Sequence, residues 1–384
     1  MPFKNRLPHN IFLLGLVSMF NGAGGEIVQA VLPLFVASLG AGGLAIGLIG
    51  SIGDAATSGS QVLAGWWSDK IGKRKPFLWV GYGLSGLMRL VMSASVSWPQ
   101  VFIARPVERL GKLRDAPRDA LVADSVPKEI RGEAFGIQRA FDGAGGVIGS
   151  VLALALVALG LAFQPIIAIG GLISLSSLGA IFMVREVGKK PVTRGLIKSL
   201  HDMPKEFRLY LMISTLFAFG NFTYFFFIVK ASSMFSGTMA LIAPIGMYVV
   251  FNIVSTIASP FVGKFSDKVG RKRMLISGYL LFAAVCIGFA INGEIFGLIA
   301  LFGLYGVFNA LIDGSQRAFA CDLVSEKERG TSLGAFHTAV ALTALPSGIA
   351  AGLLYTIAPA MTFWWGALMG LISAILLLTI IDNR

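Results

Sequence analysis

Twelve apolar runs, each about 18–28 residues long, occupy most of this 384-residue chain, and they limit its fold more than any other feature. Wound as helix at about 1.5 Å per residue, a run of that length crosses the roughly 30 Å hydrocarbon core of a bilayer. The runs fall at 11–38, 45–67, 77–96, 98–117, 134–159 and 163–184, then at 209–229, 239–263, 274–292, 296–318, 333–356 and 361–381. Hydrophobic residues make up 55% of the chain and charged residues 14%, which excludes a soluble globular core and leaves a polytopic helical membrane protein. The first run is too long for a signal-peptide core and lacks a small-residue cleavage pattern, so it reads as a retained spanning helix.

A polar stretch, Arg185 to Arg208, separates two sets of six runs; it is rich in Lys and contains Pro191 and Pro204. The expected domains are therefore residues 1–185, a cytoplasmic linker at 186–208 lying along the membrane surface, and residues 209–384. The N-terminal tail, the even-numbered loops, the linker and the C-terminus hold 27 of the 32 Lys and Arg residues. That asymmetry places both termini and the linker in the cytoplasm, with the plasma membrane as the expected location. The net charge of +12 then reads as attraction to anionic lipid and not to nucleic acid.

The halves repeat. Residues 65–77 read GWWSDKIGKRKPF, and residues 263–275 read GKFSDKVGRKRML. Gly65, Asp69, Gly72 and Arg74 in the first copy match a second set that includes Asp267, Gly270 and Arg271. A basic loop alone would explain the cations but not an Asp at the same offset twice. A second pair of segments, Arg118 to Gly132 and Arg317 to Gly330, also aligns with one residue gapped.

The spacing G-x-x-x-D-K-x-G-[KR]-[KR] resembles the loop joining helices 2 and 3 of major facilitator superfamily transporters, and the later copy resembles the weaker version between helices 8 and 9. The resemblance implies twelve transmembrane helices in two six-helix halves related by a parallel repeat, an all-α membrane fold. It also implies a substrate site between the halves near mid-membrane and a gate in which the Asp holds the cytoplasmic face closed. Gly330-Thr331-Ser332, at a helix start, is the expected dock for Asp69, because a helix N-terminus favours a carboxylate.

Charges inside apolar runs cost several kcal/mol each unless paired or wetted, so each marks a candidate site. The first half sets Glu26, Asp54, Glu108 and Asp142 against Arg89, Arg105, Arg109 and Arg139. The second half offers Asp313, the amides Asn221 and Asn309, His337, and an aromatic run beginning at Tyr224. Arg105, Glu108 and Arg109 stand at i, i+3 and i+4 on one helix face. Their run partly resembles the helix-4 motif of proton-coupled family members, and it admits two readings: a coupling site, or a static ion pair. Arg89 is expected to be static. Arg139 and Asp142 share a face too, ahead of a glycine-rich stretch that resembles the family's antiporter motif without its proline.

Glu26 lies near the middle of its run among glycines, with no cation in its own helix. Burial there disfavours the charged form. It is the expected proton carrier, with Asp142 and Asp54 as the other candidates.

The two cysteines, Cys286 and Cys321, cannot make a disulfide framework or a zinc site. With no phosphate-binding loop, H-E-x-x-H or C-x-x-C, the chain is expected to be no enzyme and to need neither cofactor nor metal. It is expected to work as a monomer on a small-molecule substrate and protons. The leading reading is a secondary active transporter using alternating access, a proton-coupled antiporter exporting a small organic molecule. The alternatives are a symporter or uniporter for a polar or anionic metabolite, and, in another class, a transporter-like receptor or lipid scramblase.

Overall fold

The computed structural model describes residues 9–127, 130–186, 203–324 and 329–380. Among these residues the fold is helical without strands, in fourteen α-helices and one 3-10 turn. In chain order they are α1 (His9–Ser38), α2 (Gly43–Ile71), α3 (Lys75–Ser93), α4 (Trp98–Leu110), a 3-10 turn (Gly111–Arg114), α5 (Asp115–Asp124), α6 (Arg131–Ala158) and α7 (Phe163–Met183). The second set is α8 (Lys205–Gly220), α9 (Phe225–Ser232), α10 (Met239–Val269), α11 (Arg271–Ile291), α12 (Ile295–Asp322), α13 (Arg329–Ile357) and α14 (Pro359–Ile380). Nine stretches among the described residues are long and apolar enough to cross a membrane unaided.

Two of the twelve expected runs are broken. The run at 98–117 ends as α-helix at Leu110, and the 3-10 turn leads into α5. The break sits where Gly111 crosses Gly81 of α3: a Cβ on either residue would lie 2.5–2.6 Å from the other's carbonyl oxygen, so only glycine fits on both sides. The run at 209–229 is likewise two helices, α8 starting earlier at Lys205 and stopping at Gly220, which packs tightly on Met369 of α14. Asn221 caps α8, its N–H donating to the Phe217 carbonyl at 2.8 Å.

Helices α2 and α10 run past their apolar stretches, so Asp69 and Asp267 lie in final helical turns and not in loops. The chain reverses after them at Gly72 (φ 71°) and Gly270 (φ 97°), a backbone conformation that a side chain disfavours. The linker falls outside the described residues between 187 and 202.

The chain divides into two compact units, Met1–Leu32 with Gly59–Arg194, and Pro33–Ser58 with Gly195–Arg384. In the first, the ends of α3 and α7 cap each other. Glu186 accepts the backbone N–H groups of Arg74 and Lys75 at 2.9 and 2.8 Å, while the Lys75 ammonium donates to the carbonyls of Val184 and Phe182 at 2.7 and 3.1 Å. Each charge thus meets the helix end of opposite sign. An apolar cluster including Leu14, Val17, Tyr82, Leu121 and Ile181 packs beneath.

The second unit has an aromatic interior. Tyr224 stacks on Tyr248, Tyr248 on Phe251, Phe251 on Tyr305 and Tyr305 on Phe308, with centroids 5.1–5.5 Å apart. Its α2 segment meets α13 through glycines: a Cβ on Gly43 would lie 2.9 Å from the Gly352 carbonyl, and one on Gly352 would lie 2.8 Å from that of Gly43. Small residues of this kind let membrane helices touch backbone to backbone.

Candidate functional site

The densest polar cluster in the first unit is built around Glu108. Its Oε1 accepts from Arg89 Nε at 3.0 Å and Nη2 at 2.9 Å, and its Oε2 accepts from Arg105 Nη1 at 3.0 Å. Arg109 Nε lies 3.7 Å from the same Oε2. All four side chains are at most 6% exposed, so one carboxylate is shared by three guanidiniums away from solvent. Arg89 also donates to the Asn21 carbonyl at 3.3 Å and to the Ser174 hydroxyl, tying α3 to α1 and α7.

The glycines of α1 make that reach possible. A Cβ on Gly25 would stand 3.1 Å from Arg89 Nη2, and one on Gly24 would collide with Ser174 and the Gly170 carbonyl. The sequence Asn21-Gly-Ala-Gly-Gly-Glu26 is therefore a smooth strip over which α3 and α7 close. At the end of that strip, half-buried Glu26 accepts the Gln29 amide N–H at 2.5 Å, and the Gln29 carbonyl accepts from Arg109 Nη2 at 2.6 Å. A continuous polar path joins the two carboxylates.

A second cation was hidden from the sequence. Arg114, counted there among the cytoplasmic loop charges, is buried: it donates to Asn21 Oδ1 at 2.7 Å, to Ser85 Oγ at 2.9 Å and to the Gly111 carbonyl at 2.7 Å, and its guanidinium lies 4.4 Å from the centre of the Tyr82 ring. The end of the helix at Leu110 turns the chain inward and carries Arg114 with it. The only sequence sign was the pair of small residues, Gly81 and Gly111, that lets the turn approach α3.

The family model described as Major Facilitator Superfamily matches residues 14–247 and 211–384. The chain belongs to the Major Facilitator Superfamily. It is 40% identical over 381 residues to an uncharacterized MFS-type transporter of Methanocaldococcus jannaschii, with 97% of this chain and 95% of that one covered. Multidrug resistance protein 2 of Bacillus subtilis is 30% identical over 127 residues, covering 33% of this chain and 31% of that one. Among solved structures, a mutant of the nucleoside transporter NupG superposes with a TM-score of 0.82 at 15% identity, covering 97% of this chain and all of that one. The POT family transporter PepTSo gives 0.80 at 11%, with coverages of 97% and 98%. Those two likenesses establish the shared fold. As a major facilitator protein the chain is a membrane transporter and not an enzyme, and its substrate is a small molecule.

The other residues singled out in the sequence scatter over both units of the transporter. Asp54 is exposed in the second unit, within electrostatic range of the Tyr305 phenol. Asp142 and Arg139 on α6 are exposed, and the Asp142 carboxylate also feels Lys112 and Arg118. In the second unit Asn309 donates to Ser255 Oγ at 2.9 Å, and exposed Asp313 pairs with Arg317 at 2.8 Å. Half-buried Asn221 and Tyr224 flank the break between α8 and α9.

In the repeated loops, buried Arg74 donates to Ser68 Oγ at 2.7 Å, and Arg271 pairs with Asp322 at 2.6 Å. The side chains of Gly65's neighbour Trp66, of Asp69 and of Asp267 lie outside the described ones, as does that of Thr331 in the expected dock. Among the described residues, no group of three or more His, Cys, Asp or Glu could hold a metal ion.

Proposed function

We propose that this protein is a proton-coupled antiporter that exports a small organic molecule by alternating access, from a plasma membrane with both termini in the cytoplasm. The observation that carries the proton is half-buried Glu26, joined through Gln29 and Arg109 to the Glu108 cluster. A carrier must alternate between charged and neutral forms, which calls for a carboxyl held between a desolvating environment and a nearby cation. Glu108, clamped by three arginines, has the setting of a permanent anion; Glu26 has the intermediate one. Export of a largely apolar solute is supported by the stacked aromatic interior of the second unit and by the partial likeness to a multidrug resistance protein.

Everted membrane vesicles energised by a proton gradient test the reading, with ethidium as a planar organic probe. The wild type should accumulate ethidium against its gradient. Glu26→Gln should abolish that uphill movement yet keep gradient-free exchange, whereas Asp142→Asn should impair both. Uphill ethidium transport by Glu26→Gln with an unchanged pH profile would remove Glu26 from the role. A second reading, symport of a polar solute, draws on the exposed Asn309 amide and the Asp313–Arg317 pair. Uridine uptake driven by an inward proton gradient, without ethidium export, would favour it.

A further inference from the structure

Gln29 stands between the two carboxylates of the first unit. The direction of its amide is fixed by chemistry: a guanidinium only donates, so the Gln29 carbonyl oxygen must face Arg109, and the NH2 group is left for Glu26. We propose that Gln29 is a positioning residue that couples the protonation of Glu26 to the buried arginine cluster, an inference that rests on the reading of Glu26 as the proton carrier.

The coupling is electrostatic and local. Ionised Glu26 is a strong acceptor, so it draws the Gln29 N–H, and the polarised amide presents a more negative oxygen to Arg109. When Glu26 takes a proton that hold weakens, and Arg109, with its Nε 3.7 Å from Glu108 Oε2, is drawn towards the remaining full negative charge. Protonation at the half-buried end of the path is thereby felt at the carboxylate that ties α3 to α4.

Other charges of the first unit have to be weighed against this path. Arg105, Glu108 and Arg109 stand on α4, Arg89 reaches Gly25 from α3, and Lys112 lies in the turn after α4. On α6, Gly146 faces the Glu26 side chain, with a Cβ there 3.8 Å from Glu26 Cγ; Asp142 and Arg139 lie further back on the same helix. Of these, Arg109 is bonded to Gln29, so a double-mutant cycle separates the path from the general field.

The readout is the protonated-carboxyl band in infrared difference spectra of the reconstituted protein across pH, which needs no substrate. The wild type should show a titrating carboxyl that Glu26→Gln removes; if the band survives, the Glu26 reading falls whatever Gln29 does. Given that band, Gln29→Met should move its midpoint upward by about one pH unit, the size of one hydrogen bond to a carboxylate. Gln29→Leu serves equally should the Met variant not fold. Arg109→Gln should also move the midpoint in the native background, and by much less once Gln29 is replaced. An unmoved midpoint in either Gln29 variant, no shift from Arg109→Gln alone, or equal Arg109→Gln shifts with and without Gln29 would each overturn the coupling.

Discussion

Replacing Glu108 by Gln keeps the shape of the side chain and removes the charge on which three arginines depend. Arg89 and Arg105 bond to it at 2.9–3.0 Å and Arg109 sits 3.7 Å away, all at most 6% exposed. A glutamine also turns one acceptor oxygen into an NH2 group facing a guanidinium, donor against donor. Breaking a buried ion pair by deleting one partner costs about 3–5 kcal/mol, and here one deletion removes a counter-charge shared by several cations. At about 2–4 °C per kcal/mol for a unit of this size, the thermal midpoint should fall by about 10 °C. Tryptophan fluorescence of the detergent-purified protein during heating measures it. An apolar replacement of the cluster, Arg89→Leu with Arg105→Met and Glu108→Met, should recover most of the loss, since it leaves fewer buried charges without a counter-charge. A midpoint within about 2 °C of wild type for Glu108→Gln, less than 1 kcal/mol on the same scale, would refute the reasoning, as would a triple variant less stable than the single one.

Two further outcomes follow from the repeated loops and the glycine contact. Asp69→Asn should leave the protein folded but strongly slow ethidium efflux from reconstituted vesicles, while Asp267→Asn slows it less; normal flux in the first, or the reverse ranking, would contradict a gate at Asp69. Gly352→Val should push α2 off α13 and destabilise the second unit by about 1–3 kcal/mol, the usual cost of overpacking, read as a lowered unfolding midpoint.

The helical membrane fold was legible because hydrophobic length is a coarse signal that survives any local detail. So were the paired loops, where Gly72 and Gly270 both take the positive φ that a tight turn demands. The grouping of Arg105, Glu108 and Arg109 followed from helical spacing alone, but their anchor did not: Arg89 reaches Glu108 from another helix, 19 residues earlier in the chain, and only the packing of α3 on α4 brings them together. Arg114, in the last residues of the 98–117 run, reads as a loop charge because a basic residue at the end of a run ordinarily faces the cytoplasm, and nothing in composition distinguishes one drawn inward by a glycine crossing. Gln29 was visible only as a residue three positions after Glu26; its importance comes from Arg109, which the sequence places 80 residues away. The breaks at Leu110 and Gly220 arise where a neighbouring helix comes too close for a side chain, a tertiary cause invisible to hydropathy.

The dependence of Arg89 on Glu108 bears on how the chain is made. During synthesis α3 reaches the bilayer before α4, carrying Arg89 and no acidic residue of its own. A lone arginine in a crossing segment costs roughly 2.5–3.5 kcal/mol to insert. Its counter-charge emerges only 19 residues later. On energetic grounds, therefore, α3 and α4 should enter the membrane at lower cost as a pair than α3 alone, because the second helix brings the charge that the first one lacks.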